Sequence, residues 1–454
     1  MRLRLLTLCG AALGAFVALG LPVVGWAQAP QAGGDGVHLG VASCAGDNCH
    51  GAATRPANAR VPQNEYLVWK TRDKHAKAYL ALTNDVGKRI AANLGLKNGA
   101  ENDPMCLSCH ADYVAPDRRG PRYQMADGVG CEACHNGASG WLGPHISGAD
   151  HAANIAAGLY PTDDAKARAE RCLSCHIGDG TKVDDAKRAI THTIMGAGHP
   201  PMPFELDTYT AIQPAHFVVD KGYVARGKKA PNDMQVWAVG QAVDLDRRMA
   251  EIIDPANAPK GANPELVLFD CQACHHAMNR LQWRPRAATG LGPGKLRLYD
   301  ASAVMAAVVA SRVAPQSVAA LAEHLKALHE ATASGGADYW ANVQRQAGLL
   351  QKDAQAITTA AESHNFDRAD AKALTQAVIT QGGEDLDFAA ARQETMALSS
   401  IVAAMKALGF ADENQAKALN DALGPLYDAV ADDQTYNPDT FLQALRQFQA
   451  KLPP

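Results

Sequence analysis

Hydrophobic and polar positions divide the chain into stretches of different character. Met1 to about Ala29 carries Arg2 and Arg4, an apolar run from Leu5 to Val24, then small residues. That is the layout of a secretory signal. Cleavage after Ala27 and after Ala29 both fit the small-x-small rule, and Ala27 is preferred because Pro30 would directly follow the later cut. The run is near the ~20 residues that span a bilayer, so an uncleaved anchor is the competing reading. Residues 30–60 are rich in Gly, Ala and Asn and read as loop. Pro62 opens a helix expected to run to about Leu82, because Val68, Arg72, His75, Tyr79 and Leu82 recur at helical spacing on one face.

Residues 84–300 show short helical pieces broken by Gly and Pro (Gly120-Pro121, Gly143-Pro144, His199-Pro200-Pro201), with little strand alternation. So little periodicity does not make a core from side chains alone. Pro285 to Gly294 reads as a linker. From 300 to 454 the pattern is helical throughout and predicts six or seven helices. Stops are expected at Gly335-Gly336, Gly382-Gly383, Gly409 and Gly424-Pro425, and starts at Asp385, Asp412 and Asn437-Pro438. His324, His329 and His364 are expected on helix surfaces.

The 454 residues contain 11 Cys and 16 His. Cys-x-x-Cys-His occurs at Cys106–Cys109–His110, Cys131–Cys134–His135, Cys172–Cys175–His176 and Cys271–Cys274–His275. Cys44–Cys49–His50 is the same device with two more residues between the thiols. A random chain of this composition would hold on the order of 0.01 such motifs. Zinc ribbons and disulfide frameworks also use Cys-x-x-Cys, but zinc does not demand His after the second Cys every time. Covalent c-type haem attachment does, with two thioethers to the porphyrin and the adjoining His on the iron. Cys9 leaves with the signal, and the other ten cysteines are consumed by five motifs. The expected cofactor is therefore heme c, about five covalently bound groups serving also as the core of the first 300 residues. Such attachment occurs outside the bacterial inner membrane, so the periplasm is expected. The formal charge of −4 becomes more acidic once Arg2 and Arg4 are lost; it suggests no nucleic-acid partner and favours basic ones.

The order of a motif, then Trp69-Lys-Thr-Arg-Asp-Lys-His75-Ala-Lys-Ala-Tyr79, then Cys106-x-x-Cys-His, then Gly128-Val-Gly-Cys-Glu-Ala-Cys-His135 resembles the cytochrome c-554 family over roughly residues 40–300. Gly198-His-Pro200, Phe204-Glu-Leu-Asp207, Trp237-Ala-Val-Gly-Gln241 and Asp270-Cys-Gln-Ala-Cys-His-His276 look like a longer, pentahaem-like branch with a helical tail. The resemblance implies a mainly α fold: a multihaem cytochrome c domain (28–299) with extensive loops around stacked haems, after a signal peptide (1–27) and before an α-helical bundle domain (300–454). It implies His75 as distal ligand to the Cys131–Cys134 haem, His145 to the first haem, and His151 as a further distal ligand. For the fifth haem His199 comes first, then His192 and His216, and His276 serves another haem than its neighbour's. It also implies that the Cys106–Cys109 haem can be five-coordinate, with Met105 and Met195 as weak ligand choices against simple packing. His38 completes the pool of histidines outside the motifs.

Two functions follow. One is an electron carrier passing single electrons between respiratory partners, periplasmic or membrane-bound redox proteins, through a chain of bis-His haems. The other is a haem enzyme acting on a small nitrogen or sulfur species at one five-coordinate haem. No Cys-x-x-Cys-Lys is present and there are fewer than eight motifs, which favours the carrier. The helical tail reads either as a docking module or as a stabilising bundle.

Overall fold

A computed structural model describes residues 35–453 apart from 58, 60, 185, 202, 229, 262, 276–290, 292–295, 337, 385 and 386. The signal segment, the linker apart from Leu291, His276 and Asp385 lie outside the described residues. The chain from Ala32 to Pro454 forms one compact unit. It is mainly α, and the one sheet among the described residues is a two-stranded antiparallel hairpin, Gly178–Val183 with Ala186–Ala189. No helix of the described residues is long and apolar enough to cross a membrane.

The expected helix from Pro62 to Leu82 is interrupted. One helix covers Glu65–Arg72, a 3₁₀ turn covers His75–Lys77, and a second helix covers Ala78–Thr83. The apolar stripe was compatible with continuity, but the buried Asp73 carboxylate accepts from both the backbone N–H and the Nδ1 of His75, at 2.9 Å each. A side chain that satisfies the amide two residues on competes with the helix ladder and re-aims the chain. Gly128 then lets the backbone approach, since with φ +77° a Cβ there would stand 2.7 Å from the His75 carbonyl.

Side-chain cores are small in this part. One cluster holds Leu82, Ala91, Ala100, Leu107, Ala111 and Tyr113; another holds Val41, Trp69 and Ala76. The large core begins at Ala169 and runs to Phe448. At its centre is the helix Asp233–Ile253, with Trp237, Ala238, Val239 and Ala242 fully buried. Gly240 admits Leu206 against it, since a Cβ there would meet the Leu206 Cβ at 2.6 Å.

Among the described residues, seven α-helices follow residue 300, at Ala301–Val313, Val318–Ser334, Tyr339–Ser363, Arg368–Glu384, Phe388–Ala407, Glu413–Ala429 and Pro438–Gln449. Asp412 and Asn437 cap their helices as expected, and Asp387 caps the helix starting at Phe388. Gly335 ends its helix and Gly409 follows the next but two, whereas Gly382-Gly383 fall inside one that closes at Glu384. Gly424-Pro425 is no stop either and lies inside Glu413–Ala429. His324 and His364 are partly exposed beside Asp353 and Asp370. His329 is not a surface residue: it is fully buried, with Nε2 3.0 Å from Asp300.

Candidate haem-binding site

Three of the motifs sit at helix C-termini, in Pro104–His110, Cys131–His135 and Ala165–His176. Cys at i and i+3 and His at i+4 then share one helix face, which is what joining one planar group requires. The other two motifs are held in turns. His50 N–H donates to the Cys44 carbonyl (3.1 Å), and Asp270 caps the 3₁₀ turn Cys271–Ala273 through Gln272 N–H (2.9 Å). All ten motif cysteines are unbridged.

Histidine rings face one another in four pairs. Ring centres lie 6.1 Å apart for His50–His145, 6.5 Å for His75–His176, 6.2 Å for His110–His199 and 6.2 Å for His192–His275. Two imidazoles bonded from opposite sides to one metal at about 2.0–2.1 Å, with ring centres about 1.1 Å behind each nitrogen, stand about 6.3 Å apart. The interplanar angles fall in two classes: 17° for His50–His145 and 29° for His192–His275, against 79° for His75–His176 and 85° for His110–His199.

Four rings also have their Nδ1 occupied, which leaves Nε2 available. Nδ1 of His50 donates to Glu65 (2.8 Å), His75 to Asp73 (2.9 Å), His110 to the Ala78 carbonyl (2.9 Å) and His199 to the Pro200 carbonyl (2.8 Å). That is the outer-shell arrangement that orients a ligating imidazole and fixes its tautomer. The Nδ1 of His176 is buried and meets no partner among the described residues. Burial pushes His135 down to about 3 and His176 to about 4, and lowers His110 and His145. These rings are therefore neutral at pH 7, as metal ligation needs. The hydrogen bonds from Glu65 and Asp73 raise His50 and His75 against their burial. Ring spacing, free Nε2 atoms, the neutral rings of His110, His135, His145 and His176, and the small side-chain cores around the first three motifs all fit covalently held haem.

The pairings differ from those the resemblance implied. His145 does stand opposite His50. His75 does not face His135; Asp73 turns its ring toward His176. His199 stands opposite His110 rather than the fifth motif, so the Cys106–Cys109 position has a histidine on its far side. His192 takes the place beside His275; its backbone N–H is fixed by Glu265 (2.8 Å) just ahead of that motif. Among the described residues His151 faces no motif histidine; its Nε2 lies 2.9 Å from Asp163. For His135 no paired ring is found among the described residues; His216 exerts the strongest charge effect on it, and the His216 ring lies edge-on to Phe217 at 6.2 Å. His38 is excluded as a ligand by its own bonds, Nδ1 to Asp112 (2.8 Å) and Nε2 to Asp35 (3.2 Å). Although burial opposes the charged form, these two carboxylates lift His38 to about 9.

Two features had no distinct signal in the sequence. Glu132, inside the third motif, is 2% exposed and accepts from Leu39, Gly40 and Ala138 N–H at 2.7 Å each. It ties the motif to the segment ahead of the first one. Thiols of different motifs also meet: Cys44 with Cys131, and Cys109 with Cys175.

Residues 43–136 match the family described as Cytochrome c554 and c-prime, and residues 96–177 that described as Cytochrome c7 and related cytochrome c. No curated protein and no solved structure matches the chain. The two family matches take in the first four motifs and stop short of the fifth. Over residues 43–177 the chain matches families of multihaem cytochromes c, haem-binding proteins of electron transfer.

Proposed function

We propose that the chain is a periplasmic electron carrier with five covalently attached haems, exported by a signal removed after Ala27. The observation that carries this reading is the set of four opposed histidine pairs at 6.1–6.5 Å. A haem with histidine on both faces has no open position for a substrate and cycles by one electron. The chain's own residues then do the rest. The ten thiols fix each porphyrin to a turn or helix end, and Glu65 and Asp73 orient two of the rings. His216 is the distal residue proposed for His135. Redox proteins of the same compartment are the proposed partners. The competing reading, a small-molecule reaction, requires His216 not to bind, since among the described residues His135 is the motif histidine without a ring at paired distance.

Intact mass of the exported protein should equal the chain from Gln28 plus five haems. Low-temperature magnetic spectra of the oxidised form should be wholly low-spin and of two kinds. Near-parallel imidazole planes split the two iron π orbitals, whereas near-perpendicular planes leave them almost degenerate, and the two cases give different signals. A high-spin signal worth one haem that moves on adding cyanide would instead favour the enzyme. A mass with no haem would sink both readings.

A further inference from the structure

A cavity of about 160 Å³ lies between the fourth and fifth motifs, bordered by His176 and by Cys271, with an apolar lining that includes Ile252 and Phe269. Two guanidinium groups also border it. Arg248 is engaged, with Nε on Asp244 at 2.9 Å and its plane 3.7 Å over the Tyr299 ring. Arg392, on the helix Phe388–Ala407, is half-buried, lies 4.7 Å from the Phe388 ring centre and has no carboxylate or carbonyl partner among the described residues. Two of the three carboxylates around the cavity are engaged by cations. Glu251 meets Lys187 (3.6 Å) and Asn257 (2.9 Å), Asp270 meets Arg297, and Asp433 accepts from Gln434 (3.4 Å). A half-buried guanidinium on the wall of an apolar space is placed to take up an anion that enters it.

We propose that Arg392 binds a propionate carboxylate of the porphyrin attached at Cys271 and Cys274. The helix Phe388–Ala407 then belongs to the fifth haem's site and not to a separate docking module. The inference rests on the five-haem reading above. Guanidinium and carboxylate match as a planar pair, and Arg is the residue suited to a partly buried one.

Spectropotentiometric titration of the holoprotein tests it. In the double variant Cys271→Ser, Cys274→Ser one reduction step should vanish, which identifies the fifth haem's step. Arg392→Gln should move that step alone to more negative potential, because a nearby positive charge favours the reduced form; Arg392→Lys should restore most of the shift. Arg392→Gln leaving every step in place, or moving a step that survives in the double variant, would overturn the inference. A wild-type mass with four haems would instead remove the count on which it rests.

Discussion

Replacing Arg297 by Met should destabilise the protein by about 3–5 kcal/mol, the cost typical of removing one partner from a buried ion pair. Arg297 is 4% exposed and bonds both Asp270 and Asp387, with Asp300 4.0 Å away. Asp270 precedes the fifth motif, and Asp387 caps the helix that carries Arg392, so this group joins the motif to the C-terminal helices. Burial, added to the charge of Asp387, lifts Asp270 above the usual carboxylate range even beside the guanidinium. A carboxylate with a raised folded-state pKa loses stability as pH rises through and above its unfolded value near 4. The deficit of Arg297→Met should therefore be larger at pH 8 than at pH 5. Denaturant unfolding of the holoprotein at both pH values is the check. A loss under 1 kcal/mol, or one independent of pH, would contradict this account.

Glu132→Ala should cost about 3–9 kcal/mol and release the third motif. One buried carboxylate satisfies three buried or half-buried amides, each worth about 1–3 kcal/mol when left unpaired. Glu132→Gln should recover little, since an amide offers one acceptor oxygen and turns a donor toward the remaining N–H groups. Thermal melts read against haem count by mass would decide it. A variant as stable as the parent, with all haems in place, would show that the amides find other partners.

The attachment chemistry was legible because it is local: two thiols and a histidine within five or seven consecutive residues. The distal pairing was not, because His75 and His176, or His110 and His199, meet only through the fold, and the choice between them rests on details such as the Asp73 carboxylate. The helix Asp233–Ile253 escaped notice for the opposite reason. From Met234 to Leu245 all but Gln235 are buried, so its first half carries no exposed polar stripe for amphipathic periodicity to register, and Asp246, Arg247, Arg248 and Glu251 gather only toward its end. His329 looked like a surface residue of a helical bundle; its burial is stabilised by Asp300, 29 residues earlier in the chain. The C-terminal helices were legible from their caps, except where Pro425 is accommodated near a helix end.

The meeting of Cys44 with Cys131, and of Cys109 with Cys175, constrains the order of assembly. A polypeptide that folded before receiving its porphyrins would hold thiols of different motifs side by side. Under oxidising conditions such neighbours can form a disulfide, and each bridge would forfeit two attachment points at once. Attachment on a chain still open enough to keep those sulfurs apart would avoid that loss.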